Sequence, residues 1–240
     1  MVELIKKMLK SVRIGRAIYP KLNRLYRKYY SLPKRRRAMA KYGYELVDKI
    51  EAFSARNHFG CFAVFGTLLG FIREGGFIGH DSDLDIGVLY WKSPAEFTRL
   101  LAKEPEFTFL HGFSYHGETI EVTFQYKGVP VDFFFYKTDG ERSWCTTCNW
   151  DPKANYSDVR ENSVKHVYQA RVTELKNIVV HGVKTSVPCN SEEMLASVFG
   201  PTWRIPDPSF KPTQQPGNVY LDDFGYIESY ETIVSRGCGK

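Results

Sequence analysis

The pattern of apolar and polar residues along the chain predicts a mixture of helices and strands. Between residues 42 and 57, apolar side chains recur at the spacing of an amphipathic helix. Apolar or alternating runs with the length of strands follow, at residues 61–65, 84–90, 106–115, 119–126 and 129–136. Strands and helices do not alternate regularly beyond residue 105, which disfavours a doubly wound parallel sheet. The pattern therefore predicts a mixed α/β domain of the α+β class, with a central mixed sheet flanked by helices.

Two stretches have a composition that does not favour regular structure. Residues 137–165 are polar, and we interpret them as a long functional loop. Prolines recur between residues 201 and 216, which predicts an extended and irregular course. We therefore place the folded domain at residues 42–210 and an irregular C-terminal tail at residues 211–240.

A strongly basic segment precedes this domain. Residues 1–41 contain 14 of the 33 Lys and Arg residues and one of the 27 acidic residues, so their formal charge is +13 against −7 for the rest. Apolar residues at helical spacing, such as Ile5, Met8 and Leu9, predict an amphipathic helical arm. Basic helices of this kind bind anionic membrane surfaces, and the alternative is a solvated helix packed on the domain. We do not expect a nucleic-acid partner, because the remaining chain is acidic and contains no nucleic-acid-binding motif.

Composition excludes several other classes of protein. With 43% apolar and 25% charged residues, the chain is not disordered, collagen-like or a coiled coil. No apolar run of about 18 residues predicts a membrane-spanning helix, and no apolar stretch followed by a cleavage site predicts a secretory leader. The five cysteines are an odd number and do not suggest a disulfide framework, so we expect a reducing, cytoplasmic compartment.

Acidic residues at the start of one predicted strand are the first candidates for chemistry. Asp83 and Asp85 flank an apolar residue, so their side chains share one face of the strand at 84–90. Two such carboxylates repel each other, and a hard divalent cation such as Mg²⁺ or Mn²⁺ would offset that repulsion. A solvated acidic turn is the alternative.

Two further features favour a phosphate-handling metal site. Asp132 is the one acid in the apolar run 129–136, where burial is costly without a partner; it would be a third ligand or a base, unless the strand end is frayed. Gly66-Thr67 lies at a predicted strand-to-helix turn, where backbone N–H groups bind phosphate well. Arg73 would neutralise the same phosphates, although an Arg beside Glu74 is more often part of a surface ion pair. Together these features are typical of a nucleotidyltransferase-type fold.

The segment from Gly66 to Val88 closely resembles the signature of the LicD/fukutin-like phosphotransferases. The shared features are a Gly-Thr-Leu-Leu-Gly turn at 66–70, an Arg, a glycine-rich link and an Asp-x-Asp-x-Asp motif at 81–85. Val131 to Phe134 is similar to the family's later acid in an apolar strand, and Phe199 to Pro206 is similar to its closing Gly-x-x-Trp-x-x-Pro motif. The resemblance spans about residues 42–208.

This resemblance implies transfer of a phosphoryl-alcohol group from a CDP-activated donor to a hydroxyl of a glycan or lipid-linked precursor, with release of CMP. The alcohols of such donors are choline, ribitol and glycerol; the link at residues 79–82 departs from the choline-type pattern and favours an alditol. By position, the resemblance implies metal-binding and catalytic roles for Asp83, Asp85 and Asp132, a supporting role for Asp81, and donor-phosphate contacts for Gly66, Thr67 and Arg73. We expect the basic arm to hold the enzyme peripherally on the inner face of a membrane.

Alternatives remain open from the sequence alone. The chain would instead be a nucleotidyltransferase that moves a nucleoside monophosphate and releases pyrophosphate, or a non-catalytic scaffold in a capsule-assembly complex. Cys145 and Cys148 have the spacing of half a zinc site, and some family members carry zinc in this region. Two free thiols in a loop are the alternative there.

Overall fold

A computed structural model describes residues 25–89, 93–149 and 161–237. Its helices are α1 (Leu32–Asn57), α2 (Phe65–Leu69), α3 (Pro94–Leu101), α4 (Ser191–Phe199) and α5 (Tyr230–Ser235). Single wide turns of π-helix precede α1 (Arg27–Ser31) and continue α2 (Gly70–Glu74), and a 3₁₀ turn spans Pro212–Gln214. The strands are β1 (Gly60–Ala63), β2 (Leu84–Leu89), β3 (Phe107–Tyr115), β4 (Glu118–Tyr126), β5 (Val129–Thr138), β6 (Arg142–Asn149), β7 (Glu161–Ala170), β8 (Leu175–Val180), β9 (Val183–Pro188) and β10 (Asn218–Glu228).

Eight of these strands form one mixed sheet in the order β1-β2-β5-β4-β3-β10-β7-β6, while β8 and β9 form a separate hairpin. β2 and β5 run parallel, and the other neighbours are antiparallel. β6 also pairs with the end of β5, through Lys137 with Trp144 and Thr138 with Ser143. Strands β5, β4, β3, β10, β7 and β6 therefore form a closed ring of pairings, which we call the strand ring. β1 and β2 extend the sheet outward from β5.

The hydrophobic core lies between α1, α3 and the parallel part of the sheet. The ring centroid of Phe97 on α3 lies 5.0–5.6 Å from the ring centroids of Phe53, Phe59, Phe133 and Phe135. Aromatic contacts of this kind bury large apolar areas and favour edge-to-face geometry. The core therefore covers the face of β5 that carries Phe133 and Phe135, and the polar side chains of β2 and β5 lie on the opposite face.

The predicted fold class is confirmed, and the helix predicted at 42–57 begins earlier. α1 starts at Leu32 and crosses the boundary placed at residue 41, since Met39 and Gly43 are already buried against the domain. It ends at Asn57 because His58 adopts the left-handed conformation, with φ of 58°. The part of the predicted arm before residue 25 lies outside the described residues. Within the described ranges, none of the helices combines the length and apolarity required to cross a bilayer.

Two expectations about irregular structure are wrong. The stretch 137–165, interpreted as a loop, contains the end of β5, all of β6 and the beginning of β7. The stretch is polar because alternate residues such as Thr147 and Lys165 face a polar interior of the strand ring, and not because it lacks regular structure. The tail from residue 211 is also not irregular, since β10 lies between β3 and β7 and α5 follows it. The prolines end at Pro216, just before β10 begins.

Candidate active site

Asp85 and Asp132 lie side by side on the two parallel strands. Asp85 is the direct register partner of Asp132 in the β2–β5 pairing, and Leu84 beside it is fully buried in the core. On the other side of β5, Thr123 of β4 is in register with Asp132, and its hydroxyl donates a 2.6 Å hydrogen bond to Oδ1 of that carboxylate. The predicted convergence of Asp85 and Asp132 on one face is therefore seen, and Thr123 fixes the orientation of Asp132.

The acids at this face influence one another electrostatically. Burial raises the pKa of Asp85 well above its usual value, and the negative charges of Asp83, Asp132 and Asp81 raise it further. Burial and the charge of Asp83 also raise the pKa of Asp132 to about 6, although the Thr123 hydrogen bond opposes the change. The four carboxylates therefore form one cluster, which we call the acid cluster, whose mutual repulsion disfavours full ionisation.

Asp81 has a structural task within this cluster. Its Oδ2 accepts a 2.8 Å hydrogen bond from the backbone N–H of Ile78, which closes the link that leads into β2. Burial raises the pKa of the Asp81 carboxyl to about 6 despite that hydrogen bond and the nearby charge of His80. Asp81 therefore shapes the approach to Asp83 and Asp85 and adds negative charge beside them.

Hydrogen bonds with the Gly66-Thr67 turn hold Asp85 in position. The backbone N–H of Asp85 donates a 2.9 Å hydrogen bond to Oγ1 of the buried Thr67. The backbone N–H of Gly66 donates to the Asp85 carboxylate and lowers its pKa. A methyl group at position 66 would stand 3.6 Å from Oδ2 of Asp85, which is an ordinary van der Waals contact. Thr67, predicted as a phosphate contact, is thus also a residue that positions Asp85.

The side chain of Arg73 forms its hydrogen bonds outside the acid cluster. Its Nε donates to Glu74 at 2.7 Å, and its Nη1 donates to the carbonyl of Trp203 at 3.1 Å. Trp203 is buried and belongs to the closing motif of the resemblance. The described contacts of the Arg73 guanidinium therefore join the two motifs, and its predicted contact with donor phosphate stays a prediction.

Basic residues at the start of α1 lie beside the acid cluster, which sequence analysis missed. Nε of Arg36 donates a 3.1 Å hydrogen bond to the carbonyl of His80. The positive charge of Arg35 lowers the pKa of Asp132 and that of His111. The sequence assigns this basic run to an anionic membrane surface, whereas the formal charge of −7 on the rest of the chain was the available indication of an acidic partner within the same chain.

A cavity of about 430 Å³ lies beside Asp85 of the acid cluster and is lined by residues of α2, β2 and the strand ring. Gly66, His80 and Asp85 line it, as do Glu121, Lys165 and Gln215. The volume lies within the roughly 300–1,000 Å³ of typical small-molecule sites. The cavity therefore brings Asp85 and Gly66 together with charged residues that were not predicted.

Glu121 on β4 is the most prominent residue that sequence analysis missed. Its side chain is buried, and the backbone N–H of Cys148 donates a hydrogen bond to its carboxylate. Burial raises the pKa of Glu121 well above its usual value, and the charges of Asp132 and Asp85 add to this effect. Thr119, Glu121 and Thr123 are polar at every second position of a strand that is buried on both faces. That alternation places the three side chains on one face of β4, but a strand with one face in water gives the same pattern.

The proposed zinc ligands lie on β6. Cys145 is fully buried, and the Tyr136 hydroxyl forms a hydrogen bond with its thiol. Burial raises the pKa of Cys145 to about 12 and also raises that of Cys148. β6 pairs with β7 in unbroken register, so residues three positions apart point to opposite faces. Zinc binding by this pair stays a prediction.

The acid cluster is also the candidate site for a metal ion. Within them, no group of three or more His, Cys, Asp or Glu side chains is arranged to hold a metal ion by itself. The acid cluster does provide carboxylate oxygens, the ligands that Mg²⁺ prefers, in a place where like charges repel. Mg²⁺ is commonly held by one or two carboxylates together with water and substrate phosphates. The donor set therefore fits a divalent cation that binds together with a phosphorylated substrate.

These features define the class of protein. A strand, a Gly-Thr turn with a short helix, a strand that begins at Asp-x-Asp and a parallel strand with a third acid form a nucleotidyltransferase-type site. The sequence model of the LicD/FKTN/FKRP nucleotidyltransferase domain matches residues 58–190, which is more than half of the chain. The chain belongs to this family, as the resemblance implied.

Individual relatives agree with this assignment. The chain is 25% identical over 173 residues to the ribitol-5-phosphate transferase FKTN of Mus musculus and 24% identical over 173 residues to FKTN of Homo sapiens. These matches cover 70% of this chain and 34% of each relative. An uncharacterized protein of Caenorhabditis elegans is 28% identical over 176 residues, which cover 70% of this chain and 45% of that protein. The chain thus spans about a third of the length of the FKTN relatives that it matches.

Proposed function

We propose that the chain transfers an alditol phosphate from a CDP-activated donor to a hydroxyl of a glycan or lipid-linked glycan precursor and releases CMP. The observation that carries the proposal is the pairing of Asp85 with Asp132 beside the Gly66 turn, at the mouth of a cavity. The mouse and human relatives are named ribitol-5-phosphate transferases, which favours ribitol as the alcohol. The Gly79-to-Ser82 link favours an alditol as well.

In this proposal Asp83, Asp85 and Asp132 would hold a divalent cation only jointly with the phosphates of the donor. When bound, the cation would neutralise phosphate oxygens and orient the diphosphate for in-line attack. Thr67 and Gly66 keep the Asp85 backbone and carboxylate in place through their hydrogen bonds. The charged form of the cluster would then be stable only beside a divalent cation or a cationic side chain. Arg35 is such a side chain, since its charge lowers the pKa of Asp132.

Asp132 would accept the proton of the attacking hydroxyl. The Thr123 hydroxyl donates to Oδ1 of Asp132 and so fixes this carboxylate beside Asp85. The acceptor oxygen forms a bond to the phosphorus that carries the alcohol, and the bond from that phosphorus to the bridging diphosphate oxygen breaks. CMP leaves with the electron pair of the broken bond, and the proton passes to the Asp132 carboxylate.

The test is a donor panel with the purified 240-residue chain. CDP-ribitol, CDP-glycerol and CDP-choline are incubated with Mg²⁺, and CMP formation is measured. Slow transfer to water reports on the reaction when the natural acceptor is absent. We expect CMP from CDP-ribitol and a loss of at least about a hundredfold in Asp83→Asn. Asp48→Asn, an exposed change on α1, is the matched control.

Two results would contradict the proposal. If Asp83→Asn is as active as the unchanged chain, the acid cluster is not the site of reaction. If CTP and an acceptor yield pyrophosphate while no CDP-alcohol yields CMP, the chain is instead a nucleotidyltransferase that moves a nucleoside monophosphate, which the class of its domain also allows.

Peripheral attachment to the cytoplasmic face of an anionic membrane is part of the proposal. Tyr29 and Tyr30 are 69% and 58% exposed just before α1, among the basic residues of the arm. Aromatic residues next to cations favour the headgroup layer. We expect the Tyr29→Ser, Tyr30→Ser double variant to bind vesicles with phosphatidylserine several-fold more weakly in a sedimentation assay. Equal binding by the variant and the unchanged chain would contradict membrane attachment through this segment.

A further inference from the structure

His111 lies on β3, two strands away from the strand that carries Asp132, and has no task in the reaction described above. Its register partner on β4 is Thr123, the residue that donates a hydrogen bond to Asp132. Nε2 of His111 lies 3.3 Å from Oγ1 of Thr123, which is within hydrogen-bonding distance. His111, Thr123 and Asp132 therefore form a chain of hydrogen bonds across three neighbouring strands.

An irregularity in β3 turns His111 toward this chain. On β4, Phe124 is the partner of Phe109. The adjacent Thr123 is the partner of His111, so Leu110 is an extra residue that forms a β-bulge. Strict alternation would put His111 on the same face as Phe109, whereas the extra residue brings it opposite Thr123. β-Bulges often redirect a side chain beside an active site, so this one is a second, independent indication that the position of His111 matters.

The chemistry of the three groups determines which of them donates. A threonine hydroxyl has one proton, and the 2.6 Å hydrogen bond to the Asp132 carboxylate uses it. Toward His111 the Thr123 oxygen can then only accept, so the imidazole must donate from Nε2. Burial and the positive charge of Arg35 lower the pKa of His111, which favours a neutral ring with a single N–H group. The arrangement therefore requires that this one proton is on Nε2.

We propose that His111 is a positioning residue for Asp132, because its Nε2–H group holds the Thr123 hydroxyl that in turn holds the carboxylate. This inference rests on the proposed function, in which Asp132 accepts the proton of the attacking hydroxyl, and goes beyond it by assigning a residue that orients this acceptor. A hydroxyl that is bound at both its proton and its oxygen is prevented from rotating away, so the carboxylate keeps one orientation. The hydrogen bond from His111 also polarises the Thr123 O–H group and strengthens its bond to Asp132.

Steady-state kinetics of CMP formation from CDP-ribitol with Mg²⁺ tests the proposal. We expect His111→Leu and Thr123→Val each to lower kcat by about tenfold and to change KM by less than about twofold, because Asp132 loses its orientation while the contacts of the donor stay. His111→Gln, whose amide N–H group can replace the Nε2–H group, should restore most of kcat. Thr108→Val, an exposed change on β3, is the matched control for Thr123→Val and should leave kcat unchanged.

A double variant shows whether His111 acts through Thr123. In a chain that already carries Thr123→Val, we expect His111→Leu to cause no further fall in kcat, since both changes break the same chain of hydrogen bonds. If His111→Leu keeps full kcat, or lowers kcat equally with and without Thr123→Val, the assignment of His111 is wrong while the proposed function stands. If the unchanged chain forms no CMP from any CDP-alcohol, the proposed function itself fails.

A second measurement of the hydrogen-bond chain does not depend on activity. In the chain labelled with ¹⁵N-histidine, NMR identifies which ring nitrogen of His111 carries the proton, and the signal of His111 is assigned by its loss in His111→Gln. We expect the proton on Nε2 at about pH 8, where the ring is neutral. A proton on Nδ1 would overturn the inference whether or not the chain is active. A thermal melt of each variant checks its folding.

Discussion

Two groups of residues at the cavity are encoded in different ways. The acid cluster and the Gly66 turn come from one short stretch of chain, with Asp132 added from the neighbouring strand. Glu121, Lys165 and Gln215 come from β4, β7 and the segment before β10, which are far apart in the sequence. The acid cluster is therefore encoded mainly by a local motif, whereas this second group of lining residues depends on the complete strand ring.

The largest expected effect distinguishes the two groups by kinetics. Asp132→Asn removes the proposed proton acceptor, so we expect kcat for CMP formation to fall by at least about a hundredfold. Glu121→Gln should lower kcat much less, because the proposed reaction assigns no proton transfer to Glu121. Steady-state kinetics with CDP-ribitol measures kcat for both variants. An equal fall in kcat for the two variants would contradict the division between the two groups.

A substitution in the strand ring should lower stability without a direct change at the acid cluster. A Cβ at Gly217 would stand 1.9 Å from the carbonyl oxygen of Tyr168, so Gly217→Ala forces β10 away from β7. We expect the free energy of unfolding to fall by about 1–3 kcal/mol in urea denaturation. Gly140→Ala is the control, since a Cβ there meets nothing within 4 Å. Equal stability of the two variants would mean that the ring tolerates this shift.

The smallest effect concerns pH. The folded-state pKa of Asp132 and of Asp81 is about 6, above that of an unfolded carboxyl near 4. These groups therefore favour folding below about pH 4 and lose that contribution as the pH rises through about 6. Because Asp132 and Asp81 are ionised at the higher pH, we expect the Tm of the metal-free chain to be a few degrees lower at about pH 8 than at about pH 5. Mg²⁺ should raise Tm more at the higher pH, and an equal rise at both would contradict cation binding at the cluster.

The parts of the fold predicted correctly are those with a local pattern. The helix over residues 42–57 and the strands around Leu84 and Val131 carry continuous apolar runs, and their burial in one core confirms them. The pairing of Asp85 with Asp132 followed from placing the two apolar strands side by side. Backbone periodicity and a contiguous motif were sufficient there.

The parts that were missed depend on contacts between distant segments. The sequence does not single out Glu121 and Lys165, because polar side chains that face an enclosed cavity give the same alternation as those that face water. Arg35 belonged to a basic run whose charge alone indicated an anionic partner, while the partner beside it is Asp132 of the same chain. Such roles become visible only when the strands are in place.

The position of β10 has a consequence for synthesis of the protein. A ribosome completes β3 and β7 well before it reaches residue 228, the end of the strand that joins them. Until then both strands present unpaired N–H and C=O groups, which readily associate with other chains. A premature stop codon shortly after residue 190 would retain the whole family-matched region, yet we expect its product to aggregate in the cell.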